Sequence, residues 1–306
     1  MKILVTGGTG YIGTELVDLL IADENVQEVR VYDNLSRNNF NFFLGNKMQG
    51  AEKIKFIKAE LLDSRSLKKA IAGVDVVYHL AAKVTTPFAN DDAHLYEQVN
   101  HWGTAELMYA IENTDVKKII YTSSSGVYGS SKDAVDETVQ ARPKTFYAIS
   151  KLRAEEHVNR LNTKKSVYVL RCGNVYGYNR SMRFDAVINK FVFEGHFNKR
   201  ISIHGDGKQS RTFIHISLVA KALHQLLYSQ VKPGTYNLVE RSIKVIDIVD
   251  ELKSLIPELE FIFINQHLKL AELNVKVNAE FNKQLGIHNH LSLKEELQQF
   301  LHKFSF

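Results

Sequence analysis

The chain has 306 residues, 44% of them hydrophobic, a formal net charge of +5 and one cysteine, Cys172. That length and apolar content support a large core and exclude intrinsic disorder, while a lone cysteine excludes an intrachain disulfide and a cysteine metal cluster. The 39 Lys and Arg are scattered among 34 acids with no run of five or six like charges, which argues against nucleic-acid binding and leaves a mild preference for anionic ligands.

The chain enters a strand at once (Ile3, Leu4, Val5) and restarts as a helix over Tyr11 to Leu20, with apolar residues Ile12, Leu16, Leu19 and Leu20 at helical spacing. The glycines between sit on a strand-to-helix turn. Gly7 supplies the tight turn, Gly10 lets the backbone approach a pyrophosphate and Gly13 lets helix and strand pack, with the helix N-terminus adding partial positive charge. A second strand, Glu28 to Asp33, ends in an acid twenty residues beyond Gly13, where a ribose 2′-hydroxyl needs an acceptor. Together they predict dinucleotide binding, with NAD favoured over NADP because Asp33 repels a 2′-phosphate; Arg37 is the rival feature.

Asn34 to Gly45 reads as a loop with a short helix. Ile54 to Ile57 is a third strand, Ser64 to Ala72 a Ser-capped helix and Val74 to Leu80 a fourth strand. A long helix over Asp91 to Glu112 follows, then a strand at Val116 to Thr122, a helix at Thr145 to Leu161 and a strand at Val167 to Arg171. This alternation predicts an α/β fold, a doubly wound parallel Rossmann sheet, with a smaller mixed α/β C-terminal substrate subdomain. That subdomain contains a helix over Arg183 to Glu194, strands at Ile201 to Ile203 and Phe213 to Ile214, and a helix at Ser217 to Tyr228. Tyr236 to Val239 reads as a strand returning to the main sheet, and Val245 to Leu255, Leu259 to Ile264, Ala279 to Leu285 and Leu293 to Phe304 complete the subdomain over the strands' carboxyl ends. The expected division is 1–172 for the cofactor, with 212–245 partly returning to it, and 173–306 for the substrate. No apolar run approaches the ~18 residues of a spanning helix and no leader pattern precedes the first strand, so a soluble cytoplasmic protein is expected.

Tyr147 and Lys151 lie four apart on one helix face, after a strand that ends in Thr122, Ser123, Ser124, Ser125 and Gly126. The spacing is not special by itself, since Tyr128 with Lys132 and Tyr228 with Lys232 repeat it. With a dinucleotide nearby it becomes chemistry. A tyrosine of pKa about 10 must fall by roughly 3 units, about 4 kcal/mol, to act as a base near neutrality, and one ammonium at roughly 5 Å contributes about 3 kcal/mol. His288 and His290 have no carboxylate or cysteine grouping around them, so no metal is expected. Cys172 reads as a packed small residue.

Thr6 to Gly13, Asp33 to Leu35, His79 to Ala82, Asn100 with Gly103 and Thr104, Ser123 to Gly129, Tyr147 with Lys151, Leu170 to Gly177 and Gly205 to His215 carry a resemblance across almost the whole chain. It resembles the extended short-chain dehydrogenase/reductases, the NAD-dependent epimerase/dehydratase family, and within it the UDP-galactose 4-epimerase-like members. The resemblance implies Tyr147 as catalytic acid/base, Lys151 as its partner and ribose ligand, and Ser124 as the substrate-orienting hydroxyl. It implies NAD contacts from Gly7, Gly10, Tyr11, Ile12, Gly13, Asp33, Asn34, Glu60, Leu61, Leu80, Ala81, Ala82, Lys83, Asn100 and Thr122. Ser125, Asn174, Ser202, His204 and Arg211 fall at substrate positions, with Arg211 and Asn174 on a nucleotide diphosphate and Arg180 or Arg183 as a further clamp. Ser125 and Gly126 stand where family dehydratases place Asp-Glu, and Gly126 where decarboxylases place Glu, which argues against both. The implied activity is an NAD-dependent epimerase of a nucleotide sugar, a UDP-sugar foremost. A nucleotide-sugar reductase or dehydrogenase is the alternative, and a non-catalytic dinucleotide sensor the alternative of another class. Leu107, Ile111 and their neighbours on the Asp91 helix read either as core or as part of a two-fold helix-bundle interface, and a homodimer is what the resemblance implies.

Overall fold

The computed structural model describes residues 1–45, 48–84, 92–266, 272–304 and 306. Apolar β-rich runs and amphipathic helices alternate through its first half: β1 (Lys2–Thr6), α1 (Tyr11–Ala22), β2 (Glu28–Asp33), β3 (Ile54–Lys58), α2 (Ser64–Ile71) and β4 (Val76–His79). Then come α3 (Ala93–Tyr96), α4 (Gly103–Glu112), β5 (Lys118–Ser124), β6 (Ser131–Val135), α5 (Phe146–Asn159) and β7 (Ser166–Cys172). Further along are β8 (Asn174–Tyr176), α6 (Val187–Asn198), β9 (Arg200–His204), β10 (Ser210–His215), α7 (Ile216–Gln225), β11 (Gly234–Leu238) and β12 (Arg241–Lys244). The C-terminal part holds α8 (Val245–Leu255), β13 (Glu260–Ile264), β14 (Leu273–Val275), α9 (Ala279–Gln284) and α10 (Leu293–Leu301).

Seven parallel strands form the main sheet in the order β11-β7-β5-β4-β1-β2-β3, so the doubly wound expectation holds and the 236–239 strand does return, beside β7. The order reverses between β1 and β4, and the crevice beyond their carboxyl ends is where such sheets bind ligands. Apolar side chains cover both faces. Leu16, Val17 and Leu20 of α1 pack with Val219, Ala222 and Leu223 of α7 on one side. Leu67 and Ile71 of α2, Leu107 and Ile111 of α4, and Ala154 and Val158 of α5 pack on the other, so Leu107 and Ile111 are core. A third cluster joins α6, β9, α8 and α10 around Phe191, Ile203, Leu252 and Leu297.

Several local expectations are corrected. Asp63, not Ser64, caps α2, accepting from Ser66 N at 3.0 Å, because its carboxylate reaches the first-turn amides. The long helix expected from Asp91, a residue outside the described ones, is broken by a π-helical segment over Glu97–Trp102. The helix expected from Arg183 begins at Val187, since Arg183 and Asp185 pair within the preceding turn. β6, β8 and β12 were not foreseen. They are short pieces that make sense only in small sheets, β12-β10-β8 and β14-β6, beside a β13-β9 pair.

At the β1–α1 turn, a Cβ on Gly13 would sit 2.3 Å from Gly7 O, and one on Gly7, at φ +70°, would sit 2.6 Å from Ala81 N. Backbone cannot yield there as a flexible side chain can. Gly13→Ala is therefore expected to lower the melting temperature and weaken NAD binding at least tenfold, about 1.4 kcal/mol, in paired thermal and calorimetric titrations; an unchanged variant would show that the contact can relax.

Candidate active site

The glycine turn lies at the mouth of the crevice. Gly7 N donates to Tyr32 O at 2.8 Å, fixing the turn on β2, and Gly10 caps α1 without a side chain, which leaves the first-turn amides of Tyr11 and Ile12 for an anion. A Cβ at Gly10 would meet only Gly7 O, at 3.1 Å. The Asp33 carboxylate closes β2 onto the turn, accepting from Thr9 N at 3.1 Å and Leu35 N at 2.9 Å. Asn34 Nδ2 donates to Glu60 Oε2 at 2.9 Å, and Leu61 is buried beside Gly103. Arg37, the rival feature beyond Asp33, has its guanidinium 3.7 Å from the Asp185 carboxylate.

Opposite lies the segment Leu80, Ala81, Ala82 and Lys83. Asn100 pins it, its Oδ1 accepting from Lys83 N at 2.8 Å and its Nδ2 donating to Lys83 O at 3.0 Å and to Ser150 Oγ at 3.0 Å. The π segment turns Asn100 inward, a use to which single wide turns are often put. A buried polar chain continues from there. Thr6 Oγ1 meets His79 Nδ1 at 2.7 Å, His79 Nε2 meets Thr104 Oγ1 at 2.8 Å, Thr104 donates to Asn100 O, and Ser150 donates to Tyr147 O at 2.8 Å. His79 is neutral, burial having pushed its pKa down to about 3.

The groups present fit a dinucleotide. A glycine cradle that Cβ atoms would fill meets an uncapped helix N-terminus and an acid at the end of β2, and buried Thr9 Oγ1 and Thr122 Oγ1 have no hydrogen-bond partner. Such orphans need a reason, and a ligand's hydroxyls or phosphates supply one. The Tyr11 amide stands at the start of α1, while its hydroxyl turns away to donate to Gly177 O and meets Asn189 Nδ2 at 3.2 Å. The ring is a strut, not a cradle wall.

Ser124, Tyr147 and Lys151 converge at the carboxyl end of β5. Ser124 Oγ accepts from Gly126 N at 3.1 Å and lies close enough to Tyr147 to favour its phenolate. Lys151 is 2% exposed, with Nζ 4.2 Å from the Tyr121 ring centroid. The charge balance differs from the sequence estimate. Burial pulls Lys151 down to about 7 and raises Tyr147 above its ordinary value, while the Arg183 charge and the Ser124 hydroxyl act downward on Tyr147. A lysine treated as a full charge in dielectric 20 overstates its pull, because the same desolvation acts on the lysine itself.

On the substrate side Arg211 is pulled below its ordinary value by burial, and no described carboxylate pairs with it. Asn174 Nδ2 donates to Thr212 O at 2.9 Å, and His204 feels the Arg211 charge. Ser202 lies two residues from His204 on β9, and Ser125 is buried after Ser124. Of the two candidate clamps, Arg180 is committed to Asp18 at 2.7 Å, whereas Arg183 acts electrostatically on Tyr147 and is held by Asp185 at 2.7 and 3.1 Å. Its closeness to Tyr147 has no signal in the irregular 178–186 segment. Sequence reasoning also missed Glu155, buried behind Lys151 against Arg171 and Ser123. Among the described residues no group of His, Cys, Asp and Glu is placed to hold a metal ion, and no helix is long and apolar enough to cross a membrane.

The profile of the NAD dependent epimerase/dehydratase family matches residues 3–238. The chain is 32% identical to the dTDP-D-glucose 4,6-dehydratase of Homo sapiens over 84% of this chain and 74% of that one. It is 31% identical to the UDP-glucose 4-epimerase of Mycolicibacterium smegmatis over 72% of each. Among solved structures, the UDP-N-acetylglucosamine 4-epimerase from Methanobrevibacter ruminantium M1, in complex with UDP-N-acetylmuramic acid, superposes with a TM-score of 0.86 at 26% identity, covering 98% of this chain and 97% of that one.

A lysine ionising near 7 when folded and near 10.5 when unfolded costs stability. The unfolded chain binds more protons between those values, so the cost is complete below about pH 7 and fades toward about pH 10. Lys151→Met is expected to melt above wild type at pH 6, with the gap closing by pH 10; a gap independent of pH would refute the depressed ionisation.

Proposed function

The chain belongs to the NAD-dependent epimerase/dehydratase family, and from that premise we propose that it is an epimerase of a nucleotide sugar, inverting one hydroxyl-bearing carbon without net redox change. The convergence of Ser124, Tyr147 and Lys151 beside the glycine turn carries this reading. Ser125 and Gly126 follow Ser124, so no carboxylate stands there to draw off the second proton that a dehydration needs. The activities of the epimerase relatives point to a UDP-sugar and to C4. In this reading residues 1–172, with 212–245 partly returning, hold NAD and residues 173–306 hold the sugar nucleotide.

Gly7, Gly10 and the amides of Tyr11, Ile12 and Gly13 would cradle the pyrophosphate. Asp33 and Asn34 would take the adenosine ribose, Glu60 and Leu61 would flank the adenine, and Leu80 to Lys83 with Asn100 and Thr122 would line the rest. Ser124 donates to the reacting oxygen and aims its proton at Tyr147, which accepts it and later returns it. Lys151 in its ammonium form steadies the phenolate and holds ribose hydroxyls. When bound, NAD would supply hydride acceptance and return, and its positive charge would favour the phenolate. The C–H bond broken on one face of the sugar carbon would be re-formed on the other with the same hydride, and the O–H bond would be re-formed with the proton that Tyr147 returns.

Arg211 would bind the diphosphate bidentately, with Asn174 assisting and the base near Ser202 and His204. Incubation with UDP-glucose, UDP-glucuronic acid or UDP-N-acetylglucosamine, followed by proton NMR, is expected to show C4 inversion by the wild type and none by Tyr147→Phe. Arg211→Ala is expected to weaken UDP binding ten- to a hundredfold, the value of a charge-assisted bond of about 1.5–3 kcal/mol. If UDP, GDP, dTDP and CDP all fail to bind the wild type, the nucleotide-sugar reading falls.

We also propose a cytoplasmic homodimer, packed through the outer faces of α4 and α5. Trp102 and Tyr109, 54% and 56% exposed, lie near His157 beside a His101–His157 contact of 3.1 Å, and Phe146, at the start of α5, is 45% exposed. Large exposed aromatics grouped on helices are typical of interfaces, and buried, free Cys172 suits a reducing compartment. Sedimentation should give twice the chain mass for wild type and one chain mass for Trp102→Glu; a monomeric wild type would exclude the dimer.

A further inference from the structure

Lys151 is almost wholly enclosed, and what encloses it is nearly all uncharged. β4 presents His79, neutral and stacked on Tyr121 at 5.3 Å between ring centroids. β5 presents the Tyr121 ring itself, under the ammonium. β7 presents Cys172, whose thiol burial pushes up to about 12 and so keeps protonated at neutral pH. On α5 itself stand Tyr147, one turn before the lysine, and Glu155, one turn after it. Among the described residues, Glu155 carries the one carboxylate that acts on Lys151 electrostatically.

That carboxylate is a built feature. Glu155 is 3% exposed, accepts from Ser123 Oγ at 2.5 Å, and takes a two-pronged bond from Arg171, Nε to Oε1 at 3.1 Å and Nη2 to Oε2 at 2.7 Å. Arg171 is itself fixed, its guanidinium 4.9 Å from the centre of the Tyr128 ring, and Tyr128 donates to Asn237 Oδ1 at 2.8 Å. Arg171 therefore offsets the cost of burying the carboxylate, and the two form a buried ion pair. Through Ser123 the same carboxylate also grips the residue before Ser124.

We propose that Glu155 is a positioning residue: held one helical turn from Lys151 by Arg171 and Ser123, its carboxylate favours the ammonium form of Lys151 and fixes the β5 end that carries Ser124. It touches neither substrate nor cofactor. Its effect passes through Lys151, whose charge is what steadies a Tyr147 phenolate. The inference rests on the acid/base reading of Tyr147 and Lys151, but its physical content, one carboxylate setting one lysine's charge, can be measured without any substrate.

The purified full chain, as isolated with whatever cofactor it retains, is labelled with [ε-13C]lysine and titrated by NMR. The Lys151 signal is recognised as the one missing in Lys151→Met. Loss of a negative charge one helical turn away should lower the ionisation of a buried ammonium by about one pH unit. Glu155→Gln is expected to show that shift; Glu155→Gln with Arg171→Gln, which removes both charges of the buried pair, is expected to show a smaller shift in the same direction and remains the test if the single variant does not fold. A midpoint within about 0.3 units of wild type in the folded variant overturns the proposal. In parallel, the alkaline limb of kcat/KM against pH should move down by the same amount, with activity near pH 6 largely retained. A purely structural role would lower activity at every pH and leave the limb in place. If the NMR shift occurs and no nucleotide sugar turns over, the proposal about Glu155 stands and the epimerase reading fails.

Discussion

The crowding of three backbone segments at the end of β1 is the constraint on which the rest of the site depends. Gly7, Gly13 and Ala81 approach so closely that side chains are excluded from the first two positions. Because they touch, the start of α1, the end of β2 and the segment after β4 form one wall. The same contact sets Thr6 under His79, and from His79 a buried relay of hydrogen bonds runs through Thr104, Asn100 and Ser150 to the backbone of Tyr147. The turn that can cradle phosphate and the helix that carries the acid/base candidate are thus parts of one rigid assembly. Rigidity of this kind is what lets a proton acceptor be held to a fraction of an ångström.

The site is electrostatically expensive. A lysine and a tyrosine are buried together where burial disfavours the charged form of each. A protein selected only for stability would place apolar residues there. Retaining the pair makes sense if it is poised: a lysine ionising near neutrality changes its charge with modest changes in its surroundings, and a phenol beside it follows. Chemistry and stability pull against each other within one helix turn.

The segment from Gly177 to Asn189 is fastened to α1 and its neighbouring loop at several points. Tyr11 reaches Gly177 and Asn189, Thr14 donates to Ser181 Oγ at 2.8 Å, Arg180 pairs with Asp18 and Arg37 approaches Asp185. Arg183 sits among these contacts, so its position beside Tyr147 is tied to the glycine turn's helix. Cofactor-side and substrate-side elements therefore share supports.

Much was legible in the sequence, for local reasons. Gly7, Gly10 and Gly13 announce a turn because only glycine tolerates the close approach, Asp33 closes the next strand at a characteristic distance, and the alternation of β-type and helical periods implies a parallel sheet. The Ser124, Tyr147 and Lys151 set could be picked out because a strand end and a helix face are local properties. The tertiary structure alone decided the rest. The Tyr11 hydroxyl and Arg180 became struts and Arg37 gained an acidic neighbour because partners far along the chain, Gly177, Asp18 and Asp185, were brought to them. Asp63 displaced Ser64 as a cap by geometry that composition does not reveal. The sign of the Tyr147 shift, and the place of Glu155 and Arg171 behind Lys151, depend on how deeply four separate elements bury one ammonium. Desolvation and pairing are properties of the packed interior, which no spacing in the sequence encodes.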